Sequence, residues 1–257
     1  KNVNAYRCMY HYTVAELGIL QAEVQRKHAW LAARGIAYLN VWVPIKANVY
    51  PEFLPAGLTK LDQPCRLQQW HAHMRKHTKA AVVDLTDALR LAKAASQASI
   101  YYKTDTHWNP RGAWAGYQAL VPALRKLAPN AKPIAPERVT FEDYSEKGGD
   151  LARLLDMAER YRAMVPWPRI AGSGIRNVPA PVDRGKSVVV QAFECATCGP
   201  GRAVMIHDSF GNHIRTYLAE TFGRLVSVEF GPWDEALILQ EKPEIVIEVH
   251  LERQLMP

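Results

Sequence analysis

Two short stretches, far apart in the chain, hold the residue types that together make a hydroxyl nucleophilic. Thr104-Asp105-Thr106-His107-Trp108-Asn109-Pro110 places a carboxylate and an imidazole two positions apart, and His207-Asp208-Ser209-Phe210 offers a serine. A serine hydroxyl attacks poorly until a base takes its proton. An imidazole does this best when a carboxylate fixes its tautomer and stabilises its charged form. In an extended segment or tight turn, residues two apart project to one side, so Asp105 and His107 can form such a pair. Ser209 would then sit at a strand end, on a turn into a helix, with a free N–H for a developing oxyanion. Taken singly, Asp-Ser before a helix is most often an N-cap, and Asp105 and His107 are ordinary polar loop residues. Their joint occurrence at the ends of two expected strands is what points to catalysis.

The elements that must position these residues follow from periodicity. Thr13 and Glu16 form a capping box ahead of Leu17, Leu20, Val24 and Leu31 at helical spacing, with Gly35 as the stop. Residues 36–43 read as a buried strand ending at Pro44, followed by a proline-bearing loop to about Leu58. A helix is expected around 66–76, a strand at 80–84, a helix at 87–95 and a brief strand at 100–103 leading into the Asp105 stretch. Asn109 is placed to cap, and Pro110 to begin, a helix running to about Leu127. Residues 129–184 lose periodicity and read as an irregular insertion. Strands are expected again at 187–193, 202–206, 225–230 and 245–249, alternating with helices at 209–222 and 234–240. Strands separated by helices predict an α/β fold with a mainly parallel sheet covered on both faces. The chain is expected to form one domain, 1–257.

Bulk properties exclude several classes. At 257 residues, 48% hydrophobic and 22% charged, the chain has globular usage. No run reaches the roughly 18 apolar residues that a membrane-spanning helix needs. It starts at Lys1 with neither methionine nor a charged-then-apolar leader, as a mature form or an excised segment would. Lysine and arginine number 32 against 25 aspartates and glutamates, a field that favours anionic partners. Nucleic acid fits poorly, because the basic residues are dispersed, with only short clusters such as Arg75-Lys76-His77, and no zinc-finger spacing, RNP-like motif or extended basic recognition helix occurs. His71, His73 and His77 fall on a helix read as exposed and basic, with no third metal ligand nearby. Cys195 and Cys198 have the spacing of a redox or zinc half-site, but no second close pair completes one. A disulfide within that loop, free thiols, and metal or redox chemistry remain the alternatives for them. The pairing of Cys8 and Cys65 is open. No metal or organic cofactor is called for.

Tyr101-Tyr102-Lys103-Thr104-Asp105-Thr106-His107-Trp108-Asn109, followed by Gly112-Ala113, resembles the aspartate-and-histidine motif of the alginate O-acetyltransferase family, within the SGNH hydrolase-like superfamily. Pro44-Ile45-Lys46 with Tyr50-Pro51-Glu52 and Leu54-Pro55 is similar to that family's loop after an early strand, and Asp208-Ser209-Phe210 to its nucleophile block. The likeness covers most of 36–118 and 204–253. It implies an SGNH hydrolase-like (flavodoxin-like) fold, with Ser209 as nucleophile, His107 as general acid and base, and Asp105 as orienting carboxylate. The acid and base precede the serine, as a circularly permuted motif order would require. His207 stands where a glycine often precedes the Asp-Ser pair, and Lys46, Trp108, Asn212 and Arg215 are candidate substrate contacts.

The resemblance further implies acetyl transfer to polysaccharide hydroxyls through an acetyl-serine, in the periplasm or at the cell surface of a bacterium. An anionic polysaccharide acceptor and a membrane-bound partner supplying the acetyl group are the expected partners. An acetylesterase using the same three residues, and a non-catalytic glycan-binding or assembly protein, are the alternatives.

Overall fold

Strands covered on both faces must be apolar at almost every position, and the strands at the centre of this molecule meet that condition. The structure is a computed structural model that describes residues 2–185 and 187–255. The chain runs α1 (Asn2–Tyr6), α2 (Val14–Ala32), β1 (Ala37–Val43), α3 (Lys46–Val49), α4 (Arg66–His77), β2 (Ala81–Asp84), α5 (Thr86–Ala95) and α6 (Pro110–Leu127). It continues β3 (Val139–Lys147), α7 (Asp150–Leu154), β4 (Arg162–Ile170), β5 (Ile175–Val178), β6 (Val189–Cys195), β7 (Arg202–His207), α8 (Gly211–Ala219), β8 (Arg224–Glu229), α9 (Glu235–Glu241) and β9 (Ile245–Leu251).

The main sheet has the order β2-β1-β9-β7-β8-β6-β5. The pairings from β2 through β8 are parallel, and those of β8 with β6 and β6 with β5 are antiparallel. Alternate side chains sort into two cores. Leu39, Val41, Met205, Ile247 and Val249 pack under α5, α6 and α8, while Tyr38, Trp42, Val204, Ile206 and Val246 pack under α2, α4 and α9. The parallel central strands bring Pro44, Asp208 and Glu252 to one edge of the sheet, the carboxyl end where ligands bind in open α/β folds.

The expected α/β layers are present, with three differences. Residues 129–184 are ordered: β3 and β4 form a nine-residue antiparallel hairpin outside the main sheet, and β5 extends that sheet's edge. The hairpin hides from periodicity because Pro166 and Pro168 interrupt β4 and Met164 and Trp167 point to solvent. In place of a strand at 100–103 there is a single bridge between Tyr101 and Trp108, because the loop between them folds back on itself. Helix α4 is not simply an exposed basic helix, since Leu67, Trp70 and Met74 are buried in the second core. On its outer side His73 Nε2 meets Gln21 Oε1 at 2.7 Å.

Two disulfides are present. Cys195–Cys198 closes the turn after β6, and Cys8–Cys65 ties the end of α1 to the start of α4.

Helix α6 starts as its sequence predicts. The Asn109 side chain accepts hydrogen bonds from the N–H groups of Arg111 and Gly112, at 2.9 and 3.1 Å, and Pro110 occupies the first turn. Gly112 sits against the Ile100 carbonyl so closely that a Cβ there would lie 2.1 Å from the oxygen. That oxygen already accepts the Asn109 N–H at 3.0 Å, so backbone would have to move. Gly112→Ala should therefore destabilise the fold by about 1–3 kcal/mol and loosen the Asp105 loop beside it. Urea denaturation measures this, and an unchanged midpoint would contradict the packing.

Candidate active site

Asp105 and His107 stand in the tight loop that leads into α6. The Tyr102 N–H donates to the His107 carbonyl (3.1 Å) and the Asn109 N–H to that of Ile100, so the loop closes on itself and turns both side chains the same way. His107 Nδ1 lies 2.6 Å from Asp105 Oδ1, an oxygen that also accepts the His107 N–H at 2.9 Å. On the far side of the ring His107 Nε2 lies 2.8 Å from Ser209 Oγ. The structure thus brings together all three residues singled out from their chemistry.

Asp105 is fixed from the insertion as well. The Asp150 N–H donates to Asp105 Oδ2 at 2.9 Å, and a Cβ on Gly149 would fall 2.4 Å from that same oxygen. The Asp150 side chain accepts the Thr106 N–H at 2.7 Å and the Thr106 hydroxyl, and its Oδ2 is 3.8 Å from His107 Nδ1. The Thr104 hydroxyl accepts the Gly149 N–H at 3.0 Å. Residues 104–107 and 149–150 therefore clasp each other reciprocally. Burial pushes the Asp105 carboxyl upward, but hydrogen bonds from His107 and from the Asp150 and His107 N–H groups outweigh it, holding it well below the usual carboxylate range. It stays ionised wherever the protein is folded at neutral pH.

The serine side is held from the sheet. Asp208 Oδ1 accepts the Phe210 N–H (2.8 Å), and Oδ2 accepts the Leu251 N–H and the Gln254 amide, both at 2.7 Å. His207 is buried: Nδ1 donates to the Asp208 carbonyl, and Nε2 accepts from the Ser227 hydroxyl, both at 2.6 Å. Burial lowers its pKa to about 4, so it is a neutral hydrogen-bonding strut. Gly211 is obligatory beside it, because a Cβ would lie 2.2 Å from the His207 ring. Phe210 packs against the His107 ring with centroids 4.6 Å apart. Among the described residues no acceptor is bonded to the Ser209 N–H, which leaves it available for an oxyanion.

The four candidate substrate contacts are placed differently. Trp108 is completely buried and donates from Nε1 to the Phe210 carbonyl at 2.8 Å, so it braces the serine turn from beneath and no sugar can reach it. Asn212 donates to Glu229 Oε1 at 2.8 Å. Arg215 extends over the Phe193 ring, its guanidinium carbon 5.6 Å from the centroid. The Lys46 ammonium donates to the carbonyls of Tyr102, Lys103 and Asp105 at 2.7, 3.1 and 3.1 Å, clamping the catalytic loop. Trp108 and Lys46 thus brace the catalytic segments, whereas the contacts of Asn212 and Arg215 are with Glu229 and Phe193.

Sequence reasoning missed Asp150, Thr106 and His213. His213 lies one helical turn after Ser209, a spacing that could have drawn attention. Its Nε2 is 3.0 Å from the Tyr102 hydroxyl, and burial with the nearby His107 lowers its pKa to about 4, so it adds no positive charge beside His107. Asp150 gives no local signal, since it lies in the insertion. Asp105, His107 and Asp150 are close enough together to share a cation, as are Cys195, Cys198 and Glu220. In the first set the donor atoms are committed to the hydrogen bonds just described, and in the second the sulfurs form a disulfide.

Lys46 depends in turn on Glu252, which follows β9. Glu252 Oε1 accepts the Ile45 N–H at 2.6 Å and the Asn48 amide at 2.5 Å, fixing both sides of Lys46. Burial raises the Glu252 carboxyl to about 7. A raised acid binds its proton more tightly in the folded chain than in the unfolded one. Its stabilising contribution is complete below the ordinary carboxylate range and is lost as pH rises to about 7. Relative to Glu252→Gln, the natural protein should lose about 3 kcal/mol of unfolding free energy between mildly acidic and mildly alkaline pH. Parallel denaturation profiles for the two proteins would refute the assignment. For the clasp, a serine-directed fluorophosphonate should label Ser209, and Asp150→Asn should slow labelling roughly tenfold or more. An undiminished rate would show that Asp150 does not position the acid–base pair.

Comparison with known proteins identifies the family and the fold. Residues 13–180 match the family described as SGNH hydrolase-like domain, acetyltransferase AlgX. The protein named probable alginate O-acetylase AlgJ from Pseudomonas putida is 32% identical over 150 residues, 57% of this chain and 37% of that protein. Its namesake from Pseudomonas aeruginosa is 27% identical over 147 residues, covering 56% and 36%. The chain thus spans little more than a third of the length of these relatives. Among solved structures, the O-acetyltransferase domain of Pseudomonas putida AlgJ superposes with a TM-score of 0.61 at 20% identity, over 99% of this chain and 88% of that one. Bacillus cereus PatB1 bearing a sulfonyl adduct gives 0.70 at 15% identity, over 96% and 90%. These structural likenesses bear on the fold.

Proposed function

We propose a function from one premise: the chain belongs to the family of SGNH hydrolase-like acetyltransferase domains typified by AlgX. It is an O-acetyltransferase acting on polysaccharide hydroxyls through an acetyl-Ser209 intermediate. The observation that carries this reading is the continuous hydrogen-bonded chain from Ser209 Oγ through His107 to Asp105 at the carboxyl end of the sheet.

In the first half-reaction Ser209 Oγ attacks the acetyl carbonyl of the donor while His107 Nε2 takes the hydroxyl proton. Asp105 stabilises the imidazolium, and the Ser209 N–H faces the oxyanion. Collapse expels the donor's leaving group, which takes the proton from Nε2, and leaves acetyl-Ser209. In the second, a sugar hydroxyl attacks the acetyl carbon and loses its proton to His107. Ser209 then departs with that proton, restoring the site. Oxygen–acyl bonds made and broken balance in each half, and no redox partner or cofactor is needed.

The acceptor in this reading is an anionic polysaccharide, which suits the net charge of +7. The acetyl donor is a membrane-bound partner, as the family resemblance implies. Two disulfides suit an oxidising compartment such as the periplasm or cell surface, and no described helix is long and apolar enough to cross a membrane. One observation favours a second activity. The His107 side chain retains 27% exposure, so water can reach acetyl-Ser209 when no sugar occupies the site. Acetyl ester hydrolysis is therefore the reaction expected without acceptor.

Incubation with an acetyl donor ester should give an adduct of one acetyl mass on Ser209, discharged onto oligosaccharide when acceptor is added. Ser209→Ala should abolish the adduct and lower ester turnover by roughly a thousandfold or more. Undiminished turnover in that variant would remove Ser209 as nucleophile, and free acetate alone in the presence of acceptors would leave only the hydrolase.

A further inference from the structure

A concave site of about 600 Å³ lies beside the catalytic loop, between the loop that follows β1 and the segment linking α5 to the Asp105 stretch. Its floor is aromatic. Phe53, 77% exposed, stacks on the buried Tyr50 with ring centroids 5.9 Å apart and planes 19° apart. Lys93 lies 4.5 Å above the Tyr50 ring. Gln97, Ser99 and the exposed Lys103 also line it; the Ser99 hydroxyl donates to the Tyr101 carbonyl at 2.6 Å and so faces a ligand as an acceptor.

This combination discriminates between ligand classes. An exposed aromatic face with adjacent hydroxyl, amide and ammonium groups suits a ligand with one apolar and one polar face, and a pyranose ring is such a ligand. A wholly apolar ligand would leave those polar groups desolvated and unpaired. The charged lining groups are lysines. Lys93 is paired with Glu52 at 2.5 Å and Lys46 is spent on backbone carbonyls, so Lys103 is the ammonium placed for a ligand carboxylate.

The site is also joined covalently and by hydrogen bonds to the chemistry. Lys103 is two residues before Asp105, and Lys46, which lines the site, holds the Asp105 carbonyl. The Ile100 N–H donates to the Tyr50 hydroxyl at 3.0 Å, tying the aromatic floor to the strand of chain that becomes the catalytic loop.

We propose that the cleft formed by Tyr50, Phe53, Gln97, Ser99 and Lys103 is an acceptor subsite that binds a carboxylate-bearing sugar unit of the polysaccharide, remote from the unit being acetylated. Phe53 stacks on the ring and Lys103 meets the carboxylate. The identity of the polymer class rests on the acetyl-transfer reading of Ser209; the subsite itself is tested by binding, without turnover.

The test uses the Ser209→Ala protein, titrated calorimetrically with a hexamer of β-1,4-linked mannuronic acid and with cellohexaose as the neutral counterpart. The acidic hexamer should bind the more tightly, and adding Phe53→Ala or Lys103→Glu should each weaken it by about tenfold or more. Both side chains are exposed, and circular dichroism checks that each variant folds. Trp167→Ala, on the exposed face of the β3–β4 hairpin, should leave binding unchanged. The inference is overturned by equal affinity for the two hexamers, by no binding of the acidic one, by full affinity in Phe53→Ala, or by loss on Trp167→Ala instead. A failed acetyl-transfer reading shows separately, as the absence of an acetyl adduct on Ser209 in the natural protein.

Discussion

The Asp105 carboxylate is where segments from separate parts of the chain are fastened. One oxygen takes both the ring and the backbone N–H of His107, and the other takes the N–H of Asp150 from the insertion. An imidazole hydrogen-bonded only to serine would be free to rotate or to change tautomer. Two donors from His107 on a single acceptor fix the ring plane and place a proton on Nδ1, which leaves Nε2 to face Ser209. Everything else near the site serves to keep that carboxylate in place or to bring serine to it.

The two halves of the site are stiffened by different means. The acid–base half is a loop, so its rigidity is borrowed: from Lys46 below, from Asn109 at the start of α6, and from residues 149–150 at the side. The nucleophile half grows from a central strand, and its turn is held by Asp208 to the end of the neighbouring β9 and by His207 to Ser227 on β8. A buried neutral histidine in this place requires Gly211, since any side chain there would occupy the same space. The departure from a glycine before Asp208 is thus matched by a glycine after Ser209.

Much of this was legible in the sequence because local physics settles it. Apolar runs marked the central strands, and the Asn109 and Pro110 pair marked the start of α6. The pairing of Asp105, His107 and Ser209 was suggested by chemistry and the family resemblance, and the geometry brings them into hydrogen-bonding contact. What stayed hidden was long-range. Asp150 meets Thr106 only through the fold, and nothing within its own segment distinguishes it from a solvated carboxylate. The β3–β4 hairpin was read as irregular because its stability comes from cross-strand pairing and not from an alternating buried face. For Trp108 the sequence leaves two equal readings, a packing residue beneath the site or a wall for a sugar ring; periodicity cannot separate them, and complete burial decides for packing.

Lys46 shows how the site separates charge from chemistry. Its ammonium is half-buried, and burial lowers its pKa while the nearby Asp105 and Asp150 raise it. A direct ion pair with Asp105 would satisfy both groups, but it would compete for the lone pairs that His107 needs. The fold instead turns the ammonium toward three backbone carbonyls, one of them that of Asp105 itself. The positive charge then acts on the carboxylate through space, favouring its ionised form, without occupying its oxygens. Those oxygens remain committed to N–H donors that fix geometry, and the negative charge remains available when His107 takes a proton. Replacing the lysine by a neutral group of similar length would preserve little of this, because a loop with three carbonyls turned inward is stable only while a multiple donor sits among them.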